Sequence, residues 1–162
     1  MSEAWWIVAT LVLAVLFVGA LVWRPVRSAL REGQLARARK DFHKQRERLE
    51  ARFLTLASNS GKPRGLRWVE CEFEDDVAYA RDRRSGDLSA FVAVTISFEA
   101  IEGGPMEGVE AAGNQRAATA VFYFSNGAWQ TDGRAIFNLN PTEAIAYYQD
   151  FEMVAQELAQ RR

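Results

Sequence analysis

The chain has 162 residues, 49% of them apolar and 25% charged, and its formal net charge is −1. This length favours one domain, and the composition excludes disordered and collagen-like proteins. A single Cys excludes a disulfide-rich scaffold. A single His argues against His-rich metal sites and against catalytic triads built on histidine.

The first segment has the properties of a membrane span. Residues 4–23 contain no charge and eleven Leu, Ile, Val or Phe residues. A helix of this length covers about 30 Å, the thickness of the hydrocarbon core of a bilayer. Trp5, Trp6 and Trp23 lie at its two ends, where indole rings favour the headgroup layer. The sequence therefore predicts a short tail and a transmembrane helix over residues 1–23.

Two other interpretations of this segment stay open. A cleaved signal peptide would use Val18-Gly19-Ala20 as a weak cleavage site. Signal peptides carry a basic start and a shorter apolar core, whereas residues 1–3 contain no Lys or Arg. A buried helix of a soluble protein rarely combines this length with these aromatic ends.

Basic residues lie on one side of the predicted span. None precedes it, and six follow within seventeen residues: Arg24, Arg27, Arg31, Arg37, Arg39 and Lys40. Lys and Arg near a span favour the cytoplasmic side. We therefore expect a single-pass protein of the cell (inner) membrane with its N-terminus outside and its C-terminal domain in the cytoplasm. The lone Cys71 fits a reducing compartment.

Residues 24–60 are predicted to form a basic amphipathic juxtamembrane helix. Residues 24–67 have a net charge of +9, and residues 68–162 have a net charge of −9. Pro25 could kink or restart the helix. An apolar stripe at helical spacing predicts that the distal part packs on the following domain; it includes Phe42, Leu49, Phe53 and Leu56. The basic face could instead contact anionic headgroups, and a short coiled coil is a weaker option because polar residues occupy its seam.

Residues 61–162 have the pattern of a small α+β domain. An antiparallel meander of four or five strands is predicted, with Arg67, Val69, Cys71 and Phe73 on one face of the first strand and Trp68, Glu70 and Glu72 on the other. Asn126-Gly127 signals a hairpin turn. A C-terminal helix is predicted from Asn140-Pro141, with a buried stripe of Ala144, Tyr147, Phe151, Val154 and Leu158. A curved sheet wrapped on a helix, as in cystatin-like or NTF2-like folds, satisfies this order.

Three segments between residues 61 and 141 carry a resemblance. They are GLRWVECEFEDDVAYARDRRSGDL, FVAVTISFEAIEGG and DGRAIFNLNP. In these segments and in its layout the chain resembles uncharacterised bacterial single-pass membrane proteins. No activity comes with that resemblance, so it implies no catalytic residue.

Candidate chemistry is sparse. The acidic run from Glu70 to Asp76 lacks the spacing of a calcium loop and is expected to be a solvated strand end. Cys71 is expected to be a small buried residue, and His43 a solvated one. The Gly-rich loop of residues 102–114 is expected to be a connector, with a partner-binding loop as the alternative. We therefore expect no catalytic residue, no cofactor and no metal site.

Four aromatic residues are too many for a solvated sheet face: Trp68, Phe91, Tyr123 and Trp129. Core packing explains them, and a pocket or docking surface is the functional alternative. The sequence thus predicts a non-enzymatic, membrane-anchored domain that binds a protein partner as an accessory or scaffold subunit. A small-ligand-binding module is the alternative, and an enzyme working on carboxylates alone is a third. Expected partners are the bilayer, a protein and, as an option, a second copy of this chain; nucleic acid is not expected.

Overall fold

The structure, a computed structural model, describes residues 4–60 and 63–159, except for the side chains of four residues: Ala4, Ile7, Arg24 and Ala111. It is an α+β fold with one long N-terminal helix and an antiparallel sheet. The elements are α1 (Ala4–Asn59), β1 (Leu66–Asp82), β2 (Leu88–Ala100), β3 (Arg116–Ser125), β4 (Ala128–Gln130), β5 (Ala135–Phe137), α2 (Pro141–Tyr147) and β6 (Phe151–Glu157). The chain divides into two compact units, Met1–Lys40 and Asp41–Arg162.

The first unit consists of the proximal part of α1. The helix continues through Pro25, the position at which the sequence suggested a kink or restart. Over its whole length α1 is not clearly amphipathic, because apolar residues surround it on every side before Trp23. The predicted amphipathic pattern is therefore confined to the distal part of the helix.

The second unit begins with that distal part of α1. Phe42, Leu49 and Phe53 are buried as the apolar spacing predicts. Leu56 is 36% exposed, and the adjacent Ala57 is buried in its place. Steps of four residues from 49 to 53 to 57 keep one face of a helix in register with the sheet, whereas residue 56 falls beside that face.

The six-stranded antiparallel sheet has the order β4-β3-β2-β1-β6, with β5 also paired to β3. The predicted meander holds for β1 to β4, but β6 pairs with β1, which is not its neighbour in the chain. The hairpin predicted at Asn126-Gly127 is present between β3 and β4, with φ values of 53° and 76° at the two residues. At the β1–β2 turn, Asp82 accepts backbone hydrogen bonds from Ser85 and Arg84, and these bonds lower the pKa of its carboxyl group.

Two irregularities in β1 change which residues share a face. Residues 66–82 form one strand, with register shifts between Trp68 and Glu70 and between Phe73 and Val77. The first shift makes Val69 an extra residue that is 51% exposed. Because a bulge of one residue reverses the alternation, Trp68 lies on the same face as Phe73. The predicted assignment of Arg67, Trp68 and Val69 to their faces is therefore wrong.

The predicted C-terminal helix is only partly correct. The helix begins where expected: the Asn140 side chain accepts from the Glu143 backbone, and the Glu143 carboxylate accepts from the Asn140 backbone. It ends at Tyr147, and the described chain continues as β6, which pairs with residues 77–82 of β1. Pairing of an otherwise open sheet edge outweighs the helical propensity of this segment. Tyr147 and Leu158, assigned to a buried stripe, are exposed.

The two faces of the sheet have separate cores. Distal α1 covers one face, where Phe42 lies 5.4 Å from Phe122 between ring centroids. The short α2 covers part of the other face through Ala144 and Ile145, which pack with Phe91. Because α2 has only seven residues, it leaves the remainder of that face uncovered.

Candidate functional site

The apolar part of α1 is the most conspicuous exposed surface of the first unit. Trp5, Trp6 and Trp23 are 79%, 77% and 62% exposed, and the apolar side chains described between them are exposed as well. This helix is long and apolar enough to cross a membrane. A signal sequence near the N-terminus meets the same criteria. The surface therefore suits a hydrocarbon environment.

The predicted headgroup residues follow this surface on α1. Arg27, Arg31, Arg37 and Lys40 are exposed, Arg39 is half-buried, and the side chain of Arg24 lies outside the described part of the structure. The guanidinium carbon of Arg27 lies 5.4 Å from the ring centroid of Trp23. This cation–π contact holds a positive charge at the end of the apolar segment.

The four aromatic residues proposed as one pocket lie on two faces of the sheet. Trp68 contacts Phe53 of α1 with ring centroids 6.4 Å apart, and Trp129 contacts Phe42 at 5.0 Å. Phe91 belongs to the core under α2. Tyr123 pairs with Ser89 on β2, so it shares the face of Phe91. These aromatics therefore serve the two cores and do not together line a pocket.

A cleft of about 640 Å³ opens on the sheet face beside α2. Small side chains form its floor, including Ala78, Ala93, Thr95 and Ala117. Asn138, Asn140 and Glu143 line one side, and Glu74, Asp76 and Gln156 line the other. Sequence patterning did not indicate this cleft, because Glu74 and Asp76 on one side precede Asn138 on the other side by more than sixty positions.

The acidic run includes the second register shift of β1, between Phe73 and Val77. A side chain of α1 contacts the backbone of this segment. Arg46, whose side chain is 15% exposed, donates from Nη1 to the carbonyl oxygen of Asp75 at 3.1 Å and from Nη2 to that of Glu74. Its Nε donates to the carboxylate of Glu50 at 2.7 Å. The segment is thus a bulge with a fixed backbone, and Arg46 is a positioning residue that sequence reasoning missed.

The single His contacts the last strand. Nε2 of His43 lies 2.5 Å from Oε2 of Glu157, and the buried Tyr79 hydroxyl donates to the same oxygen at 3.3 Å. The contact joins distal α1 to β6 within the second unit. His43 is therefore a tertiary contact as well as a partly solvated residue.

Cys71 is half-buried on β1, and burial raises the pKa of its thiol to about 11. The thiol is therefore protonated at neutral pH and a poor nucleophile. In residues 4–60 and 63–159, no group of three or more His, Cys, Asp or Glu side chains is placed to hold a metal ion.

No protein family, curated protein or solved structure matches this chain. Its function must therefore be argued from the exposed helix, the cleft and the charge distribution.

Proposed function

We propose that this chain is a single-pass membrane protein that presents a small α+β domain to a protein partner as an accessory or scaffold subunit. One observation carries the proposal: α1 begins as a fully exposed apolar helix and ends as part of the domain core. The same helix supplies Phe42 and Phe53 to the core on the sheet. Its apolar segment is longer than the core of a signal peptide, which favours a retained anchor over a cleaved signal sequence.

The proposal also includes an orientation. The basic residues that follow Trp23 favour the cytoplasmic side of a bacterial inner membrane, with the N-terminus outside. The packing of a long helix on an antiparallel sheet is consistent with a cystatin-like or NTF2-like architecture. That analogy concerns the fold and assigns no activity.

Membrane insertion and orientation are tested in the same cells. The full chain should stay in the membrane fraction after extraction at alkaline pH. A fluorescent protein fused after Arg162 should fluoresce, and alkaline phosphatase at the same position should be inactive. Extraction into the soluble fraction would contradict the anchor, and an active phosphatase would contradict the orientation alone.

A small-ligand-binding module is the second candidate, and the cleft of about 640 Å³ favours it, because ligand sites commonly have volumes of this order. Native mass spectrometry of the detergent-purified chain separates the two candidates. A retained protein chain, including a second copy of this one, supports the subunit role. A retained small molecule supports the binding module.

A further inference from the structure

We propose that the sheet face left uncovered by α2 is a docking site for a lysine- or arginine-rich segment of a partner protein. This inference rests on the proposed function and specifies the chemistry of the partner. It starts from the cleft beside α2, whose floor of Ala and Thr side chains leaves room above the sheet. The charge around this face indicates which kind of partner could bind there.

The carboxylates around this face have one sign and few internal partners. Glu74, Asp76 and Glu143 line the cleft, and none of its described lining residues is Lys, Arg or His. Glu72 is exposed and pairs across the strands with Thr95 of the floor, so its side chain projects from the same face. Several carboxylates over one face create a summed negative field that attracts cations.

Arg67, which shares this face of β1 with Glu72, is already paired. Arg67 lies opposite Glu99 and donates from Nη2 to its carboxylate at 2.6 Å. Of the rim carboxylates, Asp76 accepts from the backbone of Ala159 and Glu143 caps α2. Both bonds leave each carboxylate with its full negative charge, so the field over the cleft persists.

The dimensions and lining favour a polypeptide segment over a compact ion. The apolar stems of Lys and Arg can lie on the alanine floor while their cationic heads reach the acidic rim. Negative charges on both sides, from Asp76 and Glu143, suit successive basic residues of one segment. Anionic lipid, in contrast, would be repelled by this face.

The test uses the full chain in nanodiscs of zwitterionic lipid and a fluorescent peptide of alternating arginine and alanine. Fluorescence anisotropy should show saturable binding at low salt, and a peptide with glutamate in place of arginine should not bind. Glu72→Lys should weaken binding at least about fivefold, because juxtaposed like charges disfavour association. Ala117→Trp should weaken it similarly by filling the cleft without a change of charge.

Glu47→Lys is the matched control. Glu47 is exposed on α1, which covers the opposite face, and the substitution changes the charge by the same amount. Equal losses for Glu72→Lys and Glu47→Lys, or no saturable binding of the arginine peptide, would overturn the docking site. If the Ala117→Trp variant does not fold, the comparison of peptide binding by Glu72→Lys and Glu47→Lys still tests the docking site. Extraction at alkaline pH tests membrane insertion separately. A chain that leaves the membrane fraction but still binds the peptide would contradict only the membrane anchor.

Discussion

Arg46 stabilises the fold through the backbone of the acidic bulge. It is largely buried and donates to two carbonyl oxygens that have no strand partner at the register shift. Hydrogen bonds from a charged guanidinium are stronger than those between neutral groups, so their loss destabilises the bulge. Local sequence patterns do not reveal this contact, because Arg46 and Asp75 are separated by 29 positions.

We expect Arg46→Met to lower the free energy of unfolding by about 1–3 kcal/mol, since the apolar stem remains and the donors are lost. Urea unfolding of the full chain in detergent, followed by circular dichroism, measures the change. Arg48→Met is the control, because Arg48 is exposed and its Nη2 donates to Gln45 of the same helix. Equal losses in the two variants would show that Arg46 does not hold the bulge.

The half-buried thiol of Cys71 should make both its alkylation rate and the stability of the fold depend on pH. Its pKa is raised from 9.0 to about 11 in the folded chain by burial. At pH 8 the thiolate fraction is therefore roughly a hundredfold smaller than in the unfolded chain, and alkylation by iodoacetamide should slow accordingly. The raised pKa contributes stability that is present below about pH 9 and is lost as the pH rises toward 11. Mass spectrometry with and without urea measures the rates; equal rates would contradict the burial of Cys71.

At the scale of elements, distal α1 and the strand edge approach closely at one glycine. Gly133 has a φ of +77°, and a Cβ built there would lie 2.6 Å from the backbone nitrogen of Ala57 and 2.8 Å from Cβ of Leu56. The sequence predicts a turn or bulge at Asp132-Gly133. It does not predict that a helix lies against that turn.

Gly133→Ala and Gly127→Ala form a matched pair. Both glycines have nearly the same positive φ, but a Cβ at Gly127 meets nothing within 4 Å. Gly127→Ala should lower the free energy of unfolding by about 1–2 kcal/mol, the cost of the left-handed conformation. Gly133→Ala should lower it further, by about 1–3 kcal/mol more, because the helix must move. Thermal unfolding compares them, and identical melting temperatures would contradict the close packing of α1 on this turn.

At the scale of the whole molecule, distal α1 is part of the domain and not a linker. Phe42, Leu49 and Phe53 are buried, and each contributes roughly 1.5–3 kcal/mol. Their sum is comparable with the net stability of a small domain, about 5–15 kcal/mol. A domain without this helix would expose Phe122 and Trp129 on its sheet.

We therefore expect a chain of residues 61–162 to melt at a lower temperature than one of residues 34–162, or not to fold. Circular dichroism and thermal scans of the two purified chains test this expectation. The variant Phe53→Ala in the longer chain should fall between them, since it removes one of the three anchoring side chains. Equal melting temperatures for all three chains would contradict a structural role for distal α1.

The sequence by itself determined the features that depend on local spacing. The apolar helix, the hairpin at Asn126-Gly127, the start of α2 at Asn140-Pro141 and the burial of Phe42 and Phe53 all follow from neighbours within a few residues. Helix period, turn chemistry and capping act over such distances, so each leaves a readable pattern.

Only the tertiary structure decided the features that depend on distant partners. β6 is a strand because residues 77–82 of β1 offer it an edge, and a bulge at Val69 moves Trp68 to the face of Phe73. Trp129 and Phe91 lie on opposite faces of the sheet because of the strand register. No local pattern encodes the register between segments that are far apart in the chain. The cleft beside α2 arises in the same way, because its walls come together only when β1 lies near the start of α2.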